Sequence, residues 1–160
     1  MTCPIVGHRI AANQMGVPVK LVLLVEDSRF MRVANERALL RAGYSVVTAR
    51  DGEEALRIAW ARLPDLIVLD MLLPKLGGPE VLHALKNNPK TSFIPVIILS
   101  SLPQKNEQRL RKEGAAAYFE KSKLELDNNS ESFLHIVKRM LDGVTDPEGP
   151  SLPARSKQTL

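Results

Sequence analysis

Cysteine is almost missing from the chain: Cys3 is the only one in 160 residues. No intramolecular disulfide can form, and a reducing compartment fits this composition. Aromatic residues are thin as well, at 4%, so a core must rest on Leu, Val, Ile and Ala. Long apolar runs are lacking. The longest, Leu21 to Val25 and Leu66 to Leu69, fall far short of the ~18 residues a membrane span requires. No apolar signal core precedes Lys20, so export is not expected and the cytoplasm is the default location. Neither sign of charge dominates: the formal net charge is +4, and most basic residues are interleaved with acids, as on solvated helix faces. Arg29, Arg32, Arg37 and Arg41 form one basic cluster. No aromatics interleave it for base stacking, so it points to surface or partner contact rather than to nucleic acid.

What is present suits one soluble domain, with 44% apolar and 25% charged residues. Residues 1–18 and 143–160 carry Gly and Pro without sustained periodicity and are expected to be flexible tails, the second of them a linker stub in one reading. Between them, residues 19–142 alternate two periods. A continuous apolar run at 20–25 predicts a strand buried on both faces, and 44–49, 65–70, 95–100 and 116–120 read as further strands. Helical patterns fall between them and after the last, near 28–42, 52–62, 79–86, 104–113 and 130–141. Ser28 is placed to cap the first helix and Gly43 to end it. Pro79 is expected at the first position of the third helix. Strands alternating with helices imply an α/β fold, a parallel sheet covered on both faces, and ligands collect at the carboxyl edge of such sheets.

The residues ending the strands therefore carry the chemistry. Glu26 and Asp27 end the first strand, Asp70 the third, Ser100 and Ser101 the fourth, and Glu120 and Lys121 the fifth. Crowded carboxylates raise one another's pKa unless a cation neutralises them. Oxygen donors with few protein ligands suit Mg²⁺. A carboxylate beside Mg²⁺ can attack a phosphoryl group, while an ammonium and a hydroxyl stabilise the transferring oxygens.

In order and spacing, LVEDSRFMR around Glu26 and Asp27, LIVLDMLLP around Asp70, IPVIILS ending at Ser100 and AYFEK ending at Lys121 resemble the receiver domains of bacterial two-component response regulators, in particular single-domain, chemotaxis-type receivers. The resemblance covers about Lys20 to Leu141. It implies a flavodoxin-like, doubly wound, five-stranded parallel sheet of order 2-1-3-4-5 with five helices. It also implies phosphoryl transfer from a sensor histidine kinase or a histidine phosphotransfer protein to Asp70, with Mg²⁺. Asp27 would bind the metal directly, Glu26 through water, Asp70 as ligand and phosphoacceptor, and Leu72 through its backbone carbonyl. Lys121 would pair with the phosphoryl group, Ser100 would move toward it, and Tyr118 would swing inward as Ser100 vacates space. The chain would catalyse its own phosphorylation and slow dephosphorylation without being a conventional turnover enzyme. Its state would pass to a downstream protein target, with no direct DNA or membrane binding, and a homodimer is compatible with the family.

Several positions depart from the family pattern. Ser122 follows Lys121 where a cis-linked proline is usual, and a trans bond is expected there. Ser101 stands in place of a smaller residue and narrows access to the site. Leu72 and Leu102 cannot orient an attacking water, and Gly77 replaces a common acid. Leu72 also occupies the place of the general acid in aspartate-nucleophile phosphatases, which argues against that class. A degenerate receiver that binds partners without phosphorylation, and a receiver forming part of a larger regulator, are the alternatives. His8, His83 and His135 read as surface or packing residues, Trp60 and Met71 as packing residues, and no Gly-rich turn follows the first strand to bind a dinucleotide.

Overall fold

The computed structural model describes Gly16 and residues 18–101, 106–122 and 131–142. Most of both expected tails, and Leu102, lie outside the described residues. Within them the chain runs β1 (Leu21–Val25), α1 (Arg29–Arg41), β2 (Ser45–Ala49), α2 (Gly52–Arg62), β3 (Leu66–Asp70), α3 (Gly78–Asn87), β4 (Val96–Ser100), α4 (Glu107–Lys112), β5 (Ala117–Glu120) and α5 (Glu131–Asp142). The five strands form one parallel sheet of order β2-β1-β3-β4-β5. This is the doubly wound arrangement expected from the alternating pattern, with helices on both faces.

Local chemistry explains the boundaries. Ser28 caps α1, its hydroxyl accepting from the Met31 amide at 3.4 Å, and Gly43 takes the left-handed φ of +94° beyond the helix end. Asp51 caps α2 by accepting from the Glu54 amide at 2.8 Å. The same helix stops at Leu63, whose φ of 44° is left-handed, because Pro64 disfavours a right-handed helical residue before it. Helix α3 begins one residue earlier than expected: Gly78 is its first residue and Pro79 its second, and Gly77 supplies no side-chain cap.

Alternation along the strands divides the core in two. Leu23, Val25, Ile67, Leu69, Val96 and Ile98 pack under α2, α3 and Leu110 of α4. Val22, Leu24, Val68, Ile97, Leu99 and Phe119 pack under Leu39 of α1 and Phe133 and Val137 of α5. Strands β3 and β4 are buried along their whole length, which fixes the sheet edge rigidly. Met71 is buried as expected, but Trp60 is not: it is 44% exposed. It falls beside the Ala55–Ala59 stripe that α2 turns to the sheet, so its ring covers only the flank. His83 and His135 lie at the surface, while His8 is outside the described residues. No helix among the described residues is long and apolar enough to cross a membrane.

One buried group works against stability. Asn35 of α1 is 3% exposed, and its Nδ2 has no hydrogen-bond partner among the described residues. An unpaired buried donor costs about 1–3 kcal/mol, and Asn is a weaker helix former than Leu. Asn35→Leu, which keeps the branch at Cγ, is expected to stabilise the domain by about 1 kcal/mol and raise Tm by roughly 3–6 °C. A thermal melt at or below that of the wild type would refute this account of Asn35.

Candidate functional site

The strand register brings the chemistry to one edge. Val25 of β1 pairs with Leu69 of β3, so Glu26 and Asp70 emerge at the same level on neighbouring strands. Asp70 pairs with Leu99, which puts Ser100 one step farther along β4. Ser100 pairs with Glu120, and Lys121 leaves β5 one step beyond. The edge is thus staggered, and Lys121 must reach back across β4 to meet the acids.

It does so. The Lys121 ammonium donates to Asp70 Oδ2 at 2.8 Å and lies 2.7 Å from Glu26 Oε2. The remaining carboxylate oxygens are held by backbone amides: Ser28 N–H donates to Glu26 Oε1 at 3.1 Å, and Leu72 N–H to Asp70 Oδ1 at 3.1 Å. Glu26, Asp70 and Ser100 are all buried, at 0%, 1% and 1% exposure. Asp27 is exposed and has no ion-pair partner among the described residues. Carboxylate oxygens of Glu26, Asp27 and Asp70 lie within 4.8 Å of one another.

Electrostatics follow from this crowding. Burial pushes the Glu26 carboxyl above its usual value, and the nearby Asp70 charge adds to the rise against the pull of Lys121. Burial alone would lower the Lys121 pKa, but its bonds to Asp70 and Glu26 outweigh this and raise it. All three acids expected at the site therefore converge, with the lysine between two of them. Ser100 lies beside them in the sheet, and Tyr118 is buried among the residues under α2 and α3. Ser101 is exposed at the rim. No peptide bond among the described residues is cis, so the bond before Ser122 is trans as expected.

Arg32 is a participant that sequence reading placed elsewhere. It was expected in a basic surface cluster, yet its Nη1 donates to the carbonyls of Glu26 at 2.9 Å and Asp27 at 3.2 Å. The guanidinium thus braces the β1–α1 turn from behind, while Arg29 stays exposed. A spacing of one helical turn from Ser28 is the only sequence signal for this, and it does not distinguish inward from outward.

The lysine is what makes the pair of buried carboxylates tolerable without a metal. Lys121→Met is expected to destabilise the metal-free protein at pH 7 by about 2–3 kcal/mol, below the ~3–5 kcal/mol typical of fully buried pairs because the ammonium keeps some access to water. Glu26, already raised, would rise further. A carboxyl with a raised folded pKa favours the folded state when protonated, and that contribution fades as pH climbs through the folded pKa. The loss should therefore be smaller at pH 5 than at pH 7 in denaturant titrations. A pH-independent loss would show that the lysine acts through packing alone.

The family model described as the response regulator receiver domain matches residues 22–127. The gliding motility regulatory protein of Myxococcus xanthus is 46% identical over 105 residues, 64% of this chain but only 13% of that protein. The polar-differentiation response regulator DivK of Brucella anthropi is 36% identical over 103 residues, 64% of this chain and 84% of that protein. Among solved structures, the response regulator TrrA of Thermotoga maritima, in complex with Mg²⁺-BeF, superposes with a TM-score of 0.67 at 28% identity, covering 77% of this chain and all (100%) of that one. The order of the sheet, the acidic edge and these likenesses agree, and the chain belongs to the response regulator receiver domain family.

Proposed function

We propose that this chain is a receiver that accepts a phosphoryl group on Asp70 from the phosphohistidine of a sensor kinase or phosphotransfer protein, in the cytoplasm and with Mg²⁺. The observation that carries the reading is the convergence of Glu26, Asp27, Asp70 and Lys121 at one sheet edge. The donor set fits a hard divalent cation: three carboxylates face a single ammonium, Asp27 has no ion-pair partner among the described residues, and all donors are oxygen. Asp27 and Asp70 would hold the metal directly, Glu26 through water and Leu72 by its carbonyl. When bound, Mg²⁺ neutralises charge on the transferring phosphoryl oxygens.

The chain's own groups do the rest. An Asp70 oxygen forms the new P–O bond as the P–N bond to the donor imidazole breaks, and the electron pair leaves with the imidazole nitrogen. Lys121, already on Asp70, is placed to pair with the phosphoryl oxygens. The Ser100 hydroxyl, at the adjacent strand end, would donate to one of them. Tyr118 would follow Ser100, carrying the change toward α4, β5 and α5, where a protein target would read it. Partner docking is supported by Phe30 and Leu72, which are 80% and 56% exposed beside the acids. A receiver embedded in a longer regulator is the second reading, favoured by the small share of the Myxococcus protein that the chain spans.

Two outcomes test the reading. Incubation with a small acyl phosphate and Mg²⁺ should label the wild type, and Asp70→Asn should lower labelling by about 100-fold or more. Equal labelling of both would overturn the assignment. The second concerns lifetime. The exposed Leu72 side chain cannot orient an attacking water, and positioning that water is part of the catalysis. The acyl phosphate is therefore expected to decay over minutes or longer, and a half-life of seconds would contradict this.

A further inference from the structure

The loop from Met71 to Gly77 follows Asp70 directly and is anchored at both ends. The Met71 amide donates to the Leu99 carbonyl at 3.3 Å, and the Gly78 amide donates to the Met71 carbonyl at 3.1 Å. Between those anchors the loop is tied to a different part of the chain. Lys75 Nζ lies 3.2 Å from Asp51 Oδ2 at the start of α2. Lys75 itself sits at a φ of +64°, a left-handed conformation that a lysine adopts only against steric resistance. The next residue, Leu76, presses its carbonyl onto Gly52 so closely that a Cβ there would collide with it. The Asp51 carboxylate is meanwhile divided: Oδ1 caps α2, and Oδ2 faces the loop lysine.

We infer that Asp51 and Gly52 are positioning residues for the phosphorylation site, clasping the β3–α3 loop so that Leu72 is held against Asp70. The inference rests on the proposed role of Asp70. The first consequence is direct: Leu72 N–H holds Asp70 Oδ1 at 3.1 Å, so a displaced loop frees the reacting carboxylate. The second concerns the Leu72 carbonyl, which the metal would share. Capping α2 requires only one Asp51 oxygen, and helix geometry alone would not require glycine at position 52. The clasp explains both the second oxygen and the missing side chain.

Two substitutions separate this role from simple support of α2. Asp51→Asn keeps a capping oxygen but removes the charge that holds Lys75. Gly52→Ala improves helix propensity but forces Leu76, and the loop with it, away. Mg²⁺ titration of the full chain, followed by amide chemical shifts, should show binding weakened about two- to fivefold in Asp51→Asn, the span expected for a half-exposed ion pair. Gly52→Ala should weaken it about tenfold, because a small misplacement of a ligand is costly. Labelling by a small acyl phosphate should slow in parallel while circular dichroism stays that of the wild type. Adding Lys75→Gly to Asp51→Asn should restore most of the affinity, since glycine takes the left-handed conformation without steric cost.

Wild-type Mg²⁺ affinity in Asp51→Asn would overturn the clasp, and this variant decides alone if Gly52→Ala does not fold. A double variant as weak as Asp51→Asn would overturn it too, since lost loop preorganisation would not be the cause. Failure of the wild type to label would strike the assignment of Asp70 instead, and the Mg²⁺ titration would still judge the clasp.

Discussion

Two carboxylates of like charge emerge at the same level of one sheet and are buried there, and the structure around them is arranged to make that bearable. Oxygens of Glu26 and Asp70 lie within 4.8 Å, where two unit charges repel by about 3 kcal/mol or more at an effective dielectric of ~20. Lys121 offsets this from the far side of β4. Backbone amides of Ser28 and Leu72 satisfy the outer oxygens, and Arg32 braces the turn that carries Glu26 and Asp27. These supports come from the β1–α1 turn, α1, the β3–α3 loop and the end of β5. The site is thus a property of the sheet edge as a whole rather than of any one motif.

The same arrangement leaves the site with excess negative charge, because one ammonium is set against three carboxylates and touches only two of them. A divalent cation would complete what Lys121 begins. The Lys121 ammonium occupies the space between Glu26 and Asp70, so on the proposed reading cation binding and lysine placement are coupled.

Much of this was legible in the residue order, for a definable reason. A strand buried on both faces reads as an unbroken apolar run, so the first polar residue after it marks the sheet edge. That rule alone finds Glu26, Asp70, Ser100 and Glu120–Lys121. The bounds of α2 were readable too: the pattern at 52–62 matches Gly52–Arg62, and Pro64 acts within one turn of its end. What stayed hidden depends on tertiary contact or helical phase. Arg32 and Arg29 belong to one basic cluster, yet only one turns inward. Trp60 looked like a core residue, but its place on α2 leaves it half-exposed. Asn35 gives no hint of burial, and the Gly52–Leu76 contact joins loops some two dozen positions apart that no periodicity connects.

Placing the acids on strand ends also bears on how a local charge change could travel. Strands β3 and β4 are buried throughout and cannot bend to relieve a new anion. A phosphoryl group brings about −1.5 to −2 charges at neutral pH, and the Lys121–Asp70 pair cannot absorb that without rearranging. The rigid strands therefore pass the demand to the side chains at their carboxyl ends. Ser100 pairs in register with Glu120, and Tyr118 precedes that residue by two positions on the same strand. A shift at Ser100 thus reaches β5 through one ladder step. On the proposed reading, a rigid sheet with adjustable side chains at its carboxyl edge is what lets a single covalent event at Asp70 alter a surface formed by α4, β5 and α5.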